Sequence, residues 1–305
     1  MASSIGSIIP EPRFPEDIER VIHSVLLDDP TNLNMCGTMS LVASRFYTWT
    51  KSFTFRTAVV RRSNDWIARI RDLLLPNARF IRILAINLSF HQGYARCPPS
   101  DEEAAYIRQL LEASDGVRHL AVSWNIWAQF PHECGSLQIE SLYLLWEGIF
   151  DVPPPSLDQL QHPAKLTDLT VYAPPDRFNP VYWNAWGENV LPSVAHLAAH
   201  FANLAYVTYA TDRWTIPSVA DLCENPGIKA VMFVTVNIPE DIMNEAEEDE
   251  MLKSDMEHYA NFSTAYLPRG GQVLGEWLAR MEGRQSVLEH PPPHAVWEEE
   301  NEEEE

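Results

Sequence analysis

The chain has 305 residues, 46% of them apolar, and a formal net charge of -21. That length suits one large domain or two, and the apolar share is enough to bury a core. No apolar run approaches the roughly eighteen residues of a membrane span, and the acidity argues against general nucleic-acid binding, which needs a cationic surface.

The charge is local. Nine acids against Lys253 lie between Glu240 and Glu257, and seven more between Glu298 and Glu305, together 15 of the net 21. Such runs are solvated. The opening MASSIGSIIPEPRF has no basic segment ahead of an apolar stretch, so it is not a secretory pattern. Cys36, Cys97, Cys134 and Cys223 are isolated, with no CxxC pair, and no disulfide framework is expected. A cytoplasmic and/or nuclear protein with no membrane association is the expectation.

Residues 1–12 read as a disordered N-terminus and residues 13–60 as a compact helical module. Ile18, Val21, Ile22, Val25 and Leu26 follow one helix face. Asp28-Asp29-Pro30 stops that helix and starts a turn. Met35, Met39, Val42, Phe46 and Trp49 then share a face of a second helix. A module of about forty residues cannot bury that much apolar surface alone, so it is expected to dock on something. Trp66, Ile67, Ile70, Leu73 and Leu74 predict a third helix, capped by Ser63 or Asn64 and closed by Pro76.

Residues 61–239 have a different texture. An apolar residue, two free positions, an apolar residue, one free position and an apolar residue recur six times. The units are Ile81-Leu84-Ile86, Val117-Leu120-Val122, Ile139-Leu142-Leu144, Leu166-Leu169-Val171, Leu204-Val207-Tyr209 and Ile228-Val231-Phe233. The last two apolar positions of each alternate as in a strand with one buried face. Most units follow a helical or turn-rich segment. Ser100 and Glu103 form a capping box for a helix over SDEEAAYIRQLLEAS, with Gly116 past its end. Ser193 opens SVAHLAAHFANL before the fifth unit, and Ser218 opens SVADLCEN before the sixth, with Pro226-Gly227 as the stop. Unit starts are 36, 22, 27, 38 and 24 residues apart, against roughly 20 to 29 for leucine-rich repeats. The Asn usual three places after the last apolar position occurs only as Asn125. The array is irregular, and its strand-helix alternation predicts a parallel sheet with outer helices.

An acidic loop follows over 240–258. In the segment 259–290, Val273, Leu274, Trp277, Leu278 and Met281 share one helix face. A helix there is expected to close the open end of the array. Residues 291–305 read as an acidic disordered tail.

Catalytic signals are absent. There is no GxxxxGK[ST], GxSxG, HExxH or EF-hand spacing. His132-Glu133-Cys134 are adjacent in sequence and do not converge on a metal. His196 and His200 lie one helical turn apart, but a zinc site needs further ligands. No enzymatic activity, cofactor or metal is expected.

The N-terminal segment resembles an F-box. In that family a Leu-Pro-acid start leads into a helix, a turn, and a helix carrying Leu-Val-x-x-x-Phe/Trp. Here the start is Phe14-Pro15-Glu16, the helix face is Ile18, Ile22 and Leu26, and the later motif is Leu41-Val42 with Phe46 and Trp49. Phe14 replaces the usual Leu, and the turn DDPTNLNMCGTMS is longer than the family's. Fungal, particularly mushroom-type, F-box-like proteins are similar in this start, in the loose leucine-rich units behind it, and in the Arg269-Gly270-Gly271 to Trp277 stretch. The resemblance implies an α/β protein with an F-box-like module ahead of an irregular leucine-rich-repeat-like arc of parallel strands and outer helices. It also implies a substrate receptor: a Skp-type adaptor would bind the module and link it to a cullin ligase, while the array holds an unknown protein target.

Phe14, Pro15, Ile18, Ile22, Leu41 and Val42 are the candidate adaptor-binding residues, or else the module's own core. Strand positions between the buried ones would face a concave side and meet the target. They include Asn87, Ser123, Tyr143, Tyr172, Tyr206 and Thr208. Two other readings compete. One is a repeat scaffold with no ubiquitin role. The other is an α/β enzyme, which would show a deep pocket with converging titratable groups at the carboxyl ends of the strands.

Overall fold

The computed structural model describes residues 21, 50–87, 99–145, 157–173, 201, 203–211, 223–236, 259–267 and 271–288. The chain divides into two compact units, Met1–Arg56 and Thr57–Glu305. In the first, Val21 is helical and 59% exposed, and residues 50–54 are helical with Thr50 buried. Phe14, Pro15, Ile18, Ile22, Leu41 and Val42 lie outside the described residues, as do His196, His200, the acidic loop and the tail.

The second unit is an α/β structure built on one sheet of eight parallel strands. These are β1 (Thr57–Arg61), β2 (Ile83–Asn87), β3 (His119–Ser123), β4 (Ser141–Leu145), β5 (Asp168–Ala173), β6 (Tyr206–Thr211), β7 (Ala230–Val236) and β8 (Phe262–Leu267). Their spatial order is their chain order. Doubly wound sheets reverse order and bind ligands in the crevice at the reversal; a sheet with sequential order has no such crevice. Right-handed crossovers in one direction all fall on one face of the sheet.

All six expected strand units are strands, and they pair in a single register. Leu84, Leu120, Leu142, Leu169, Val207 and Val231 form one continuous cross-strand row. Ile86, Val122, Leu144, Val171, Tyr209 and Phe233 form the next. Two strands were not expected. β1 extends the rows with Ala58 and Val60, and β8 with Phe262 and Thr264. The repeat unit therefore begins at Thr57, inside the stretch 13–60 assigned to the helical module, and its last strand lies inside the segment 259–290.

Helices cover the face that carries these rows. α1 (Trp66–Arg69) is capped by Asp65 without a side-chain hydrogen bond, not by Ser63 or Asn64. Ser63 donates instead to the Asp65 carboxylate at 3.0 Å. The helix then widens into a π turn over Ile70–Leu74 and tightens into a 3-10 turn over Leu75–Phe80. Pro76 sits in the first turn of that 3-10 segment, because it has no N–H to carry the wider ladder on. Trp66, Ile70 and Leu74 are buried, whereas Leu73 is exposed. α2 (Asp101–Ala113) has the expected capping box: Glu103 N–H donates to Ser100 Oγ at 3.3 Å and Ser100 N–H to Glu103 Oε2 at 2.7 Å. α3 (Trp124–Gln129) and α4 (Pro131–Ser136) follow β3. Ile107, Leu110, Leu111, Trp127, Phe130 and Cys134 from this layer meet the strand rows in one apolar core.

The opposite face has a second core, and it is covered by the last helix, α5 (Gly271–Met281). Val273, Leu274, Trp277 and Leu278 pack there with Ile83, Ala85, Ala121, Tyr143, Tyr172, Met232 and Val234. The expected amphipathic helix is present, but it lies against this face and not at an end of the array. A parallel sheet is stable when both faces are covered, and among the described residues α1–α4 pack on the other face. A Schellman turn ends α5: Gly283 N–H donates to Arg280 O and Arg284 N–H to Ala279 O. Gly283 supplies the required positive φ of 72°. Among the described residues, no helix is long and apolar enough to cross a membrane.

Candidate functional site

Alternation along each strand sends every second side chain to the face under α5. The middle row across that face reads Val59, Ala85, Ala121, Tyr143, Thr170, Thr208, Met232 and Ser263. The row nearer the strand starts includes Ile83, His119, Ser141, Asp168, Tyr206 and Ala230. Small Ala85 and Ala121 give way to large Tyr143 and Tyr172 in mid-sheet.

α5 runs against the direction of the strands. Its early residue Leu274 borders Ile86, Ser123 and Leu145 at the strand carboxyl ends. Trp277, one turn on, lies with its ring centroid 5.8 Å from that of Tyr143. Its Nε1–H donates to Ser141 Oγ, on the first residue of β4, at 3.2 Å. Arg280, three residues further, pairs with Asp168, on the first residue of β5. Ser141 closes the chain by donating its hydroxyl to Asp168 Oδ1 at 2.8 Å. Trp277, Ser141, Asp168 and Arg280 thus form one connected, buried polar cluster that pins the helix to β4 and β5.

The cluster is satisfied on both sides. Arg280 also donates to Leu288 O at 3.0 Å. Leu288 is fully buried, and Ser286 and Val287 bond back to Glu276 on α5. Burial pushes the Asp168 carboxyl above its ordinary range, while Arg280 and Ser141 pull it down; the net direction is upward. A charge pair this buried fixes geometry at a desolvation cost that its attraction does little more than offset.

The six residues expected to meet a target divide by exposure. Tyr143, Ser123, Tyr172 and Thr208 are buried, at 3%, 3%, 7% and 0% exposure. They do face the side away from α1–α4, but that side is not open at these positions: Tyr143 and Tyr172 lie in the core under α5, and Ser123 lies beside Leu274. Tyr206 is half-buried in the row of Ser141 and Asp168. Asn87 ends β2 opposite Arg61. Sequence reasoning passed over Ser141, Asp168 and Arg280. The available signal was an acid starting the otherwise apolar strand DLTVYA and an arginine three residues after Trp277, on the same side of an apolar helix.

Among the described residues, other chemistry is sparse. A recess of about 10 Å³ lies beside Leu274, lined by Ile86, Ala121, Val122, Ser123, Tyr143 and Leu145. Small-molecule sites usually span about 300–1,000 Å³. Among the described residues no group of three or more His, Cys, Asp or Glu could hold a metal ion. His132-Glu133-Cys134 diverge: Cys134 is buried in the core, whereas Glu133 accepts from Arg108 at 2.7 Å. Compared with known proteins, the chain matches no family model and no curated protein.

Proposed function

We propose that the chain is a substrate-receptor subunit of a cullin-type ubiquitin ligase. Its F-box-like N-terminal unit binds a Skp-type adaptor, and its repeat unit, a leucine-rich-repeat-like array, holds a protein target. The observation that carries this reading is the division of the chain at Arg56/Thr57. The residues that carry the F-box-like similarity, Phe14 to Trp49, all lie in the first unit, and the eight strands lie in the second. Exposed Val21 lends further support, since an adaptor interface needs apolar side chains that the unit does not bury itself. Such a subunit contributes position and not chemistry, raising the effective concentration of a target lysine near the charged conjugating enzyme.

Co-expression with a Skp-type adaptor tests the reading. The full chain is expected to co-purify with the adaptor, and Leu41→Asp combined with Pro15→Ala to weaken that capture at least tenfold while leaving the repeat unit folded. Failure of the wild type to bind, or undiminished binding by the double variant, would favour a repeat scaffold with no ubiquitin role.

A further inference from the structure

Positive charge gathers where the strand repeats begin. Residues 57–82 hold six arginines, no lysine and only two acids, Asp65 and Asp72, in a chain of net charge -21. Two of the six are already paired, Arg62 with Glu103 and Arg71 with Asp72. Further along, Arg108, Arg118, Arg280 and Arg284 also pair with carboxylates. Arg79 and Arg82 are exposed and, among the described residues, pair with none.

Both are held in place all the same. Arg82 Nη1 donates to Arg79 O and Ile81 O, each at 3.2 Å. Its guanidinium lies over Gly116, where a Cβ would come within 1.7 Å of Nη1, so the glycine makes room for it. Arg79 carries its guanidinium carbon 4.7 Å from the centroid of the Phe80 ring. Carbonyl oxygens and an aromatic face orient a guanidinium without neutralising it. Asp115, next to Gly116 in the chain, pairs with neither arginine among the described residues. Arg61 and Arg69 are exposed as well, but no comparable contact holds them among the described residues. Arg79 and Arg82 are thus two oriented, uncompensated cations three residues apart.

We propose that Arg79 and Arg82 form a binding site for a carboxylate-rich peptide segment, and that the chain's own residues 298–305 fill it. That segment supplies seven carboxylates in eight residues, and guanidinium forks match carboxylates two bonds at a time. It is also within reach. Arg280 pairs with Asp168 at the start of β5 and donates to Leu288 O, so Leu288 sits at the amino ends of the strands. Arg82 immediately precedes β2, whose first residue shares a cross-strand row with those of β3, β4 and β5. Three strand spacings separate β5 from β2, about 14 Å, and crossing the sheet adds on the order of 10 Å. The steps from Leu288 to Glu298 span up to roughly 33 Å when extended. A tether of that length gives the segment an effective concentration on the order of millimolar. The proposal is independent of the receptor reading, because neither adaptor nor target enters it.

The test is labelling of the full chain with an arginine-selective dicarbonyl, read residue by residue by mass spectrometry. Wild type is compared with a variant carrying Glu→Gln at 298–300 and 302–305. An effective concentration of about 1 mM keeps a segment of Kd about 0.1 mM seated about nine-tenths of the time. Neutralising the segment is therefore expected to speed labelling of Arg79 and Arg82 about tenfold. Salt at about 1 M, where the Debye length is about 3 Å, is expected to do the same to wild type. A synthetic peptide of residues 296–305, added at about 1 mM, is expected to restore protection to the variant. Arg61 and Arg69 are the controls and should change less than about twofold. Equal labelling of Arg79 and Arg82 in wild type and variant overturns the proposal, whether or not the added peptide protects them. So does equal acceleration of all four arginines, which would mean a diffuse field and not a site. Protection that rises with protein concentration overturns it too, since the segment would then come from a second copy.

Discussion

Glu103 shows how one side chain can serve two elements. Its carboxylate accepts from the Ser100 N–H at the start of α2 and from Arg62, just past β1, each at 2.7 Å. Partial burial would raise its pKa, but the Ser100 amide and the Arg62 guanidinium outweigh that and hold it below the ordinary 4.5. A carboxyl depressed in the folded state contributes stability above its unfolded pKa and loses it as pH falls through the folded one. Wild type should therefore lead Glu103→Gln near neutrality, and the lead should shrink as pH falls below about 4.5. Urea unfolding of both proteins across that range measures it; a constant difference would mean that the charge is immaterial. Glutamine can still complete a capping box, which isolates the ion pair. The capping box was legible from the Ser-x-x-Glu spacing. Arg62 was not, because its 41-residue separation from Glu103 becomes a contact only when β1 joins the sheet.

Among elements, close approach decides where glycine is needed. A Cβ on Gly135 would lie 2.1 Å from Gln159 O and 2.7 Å from Gln159 C, both backbone atoms. The same turn is tied to α4 by Gln161 N–H donating to Gly135 O at 2.9 Å. Gly135→Ala must push the Leu157–Gln159 turn away from α4, and should cost about 1–3 kcal/mol. Gly275 is the internal control. A Cβ there meets nothing within 4 Å, and it sits on the exposed side of α5, where alanine should stabilise by up to about 1 kcal/mol. Thermal or denaturant melts of the two variants should move in opposite directions. Element type was readable for the strands whose apolar alternation is strict. β8 escaped notice because Thr264 occupies its last apolar position. β1 escaped because Ala58 and Val60 are its only buried residues, set in an arginine-rich stretch.

For the whole molecule, sequential order makes each inner strand pair with the strands before and after it in the chain. Leu142 occupies the middle of the longest apolar row, fully buried between Leu120 and Leu169. Leu142→Ala should cost about 2–5 kcal/mol, from lost burial and the cavity left behind. Because β4 also carries Ser141 and Tyr143, the same change should loosen α5. Trp277 fluorescence and global unfolding should then respond together; an unchanged melt would mean that this row is not the spine of the fold.

The sequence by itself determined six of the eight strands, because a period-two pattern of apolar residues is local and each of those units repeats it. It also determined that residues 271–281 form an amphipathic helix, since a helix face is written within a few turns of chain. Only the tertiary structure decided where that helix goes. Nothing within α5 distinguishes the end of an array from its far face: the choice rests on Trp277 finding Ser141 and Arg280 finding Asp168, 136 and 112 residues away. Packing of that kind is non-local, and it turned Ser123, Tyr143, Tyr172 and Thr208 from expected surface into buried floor.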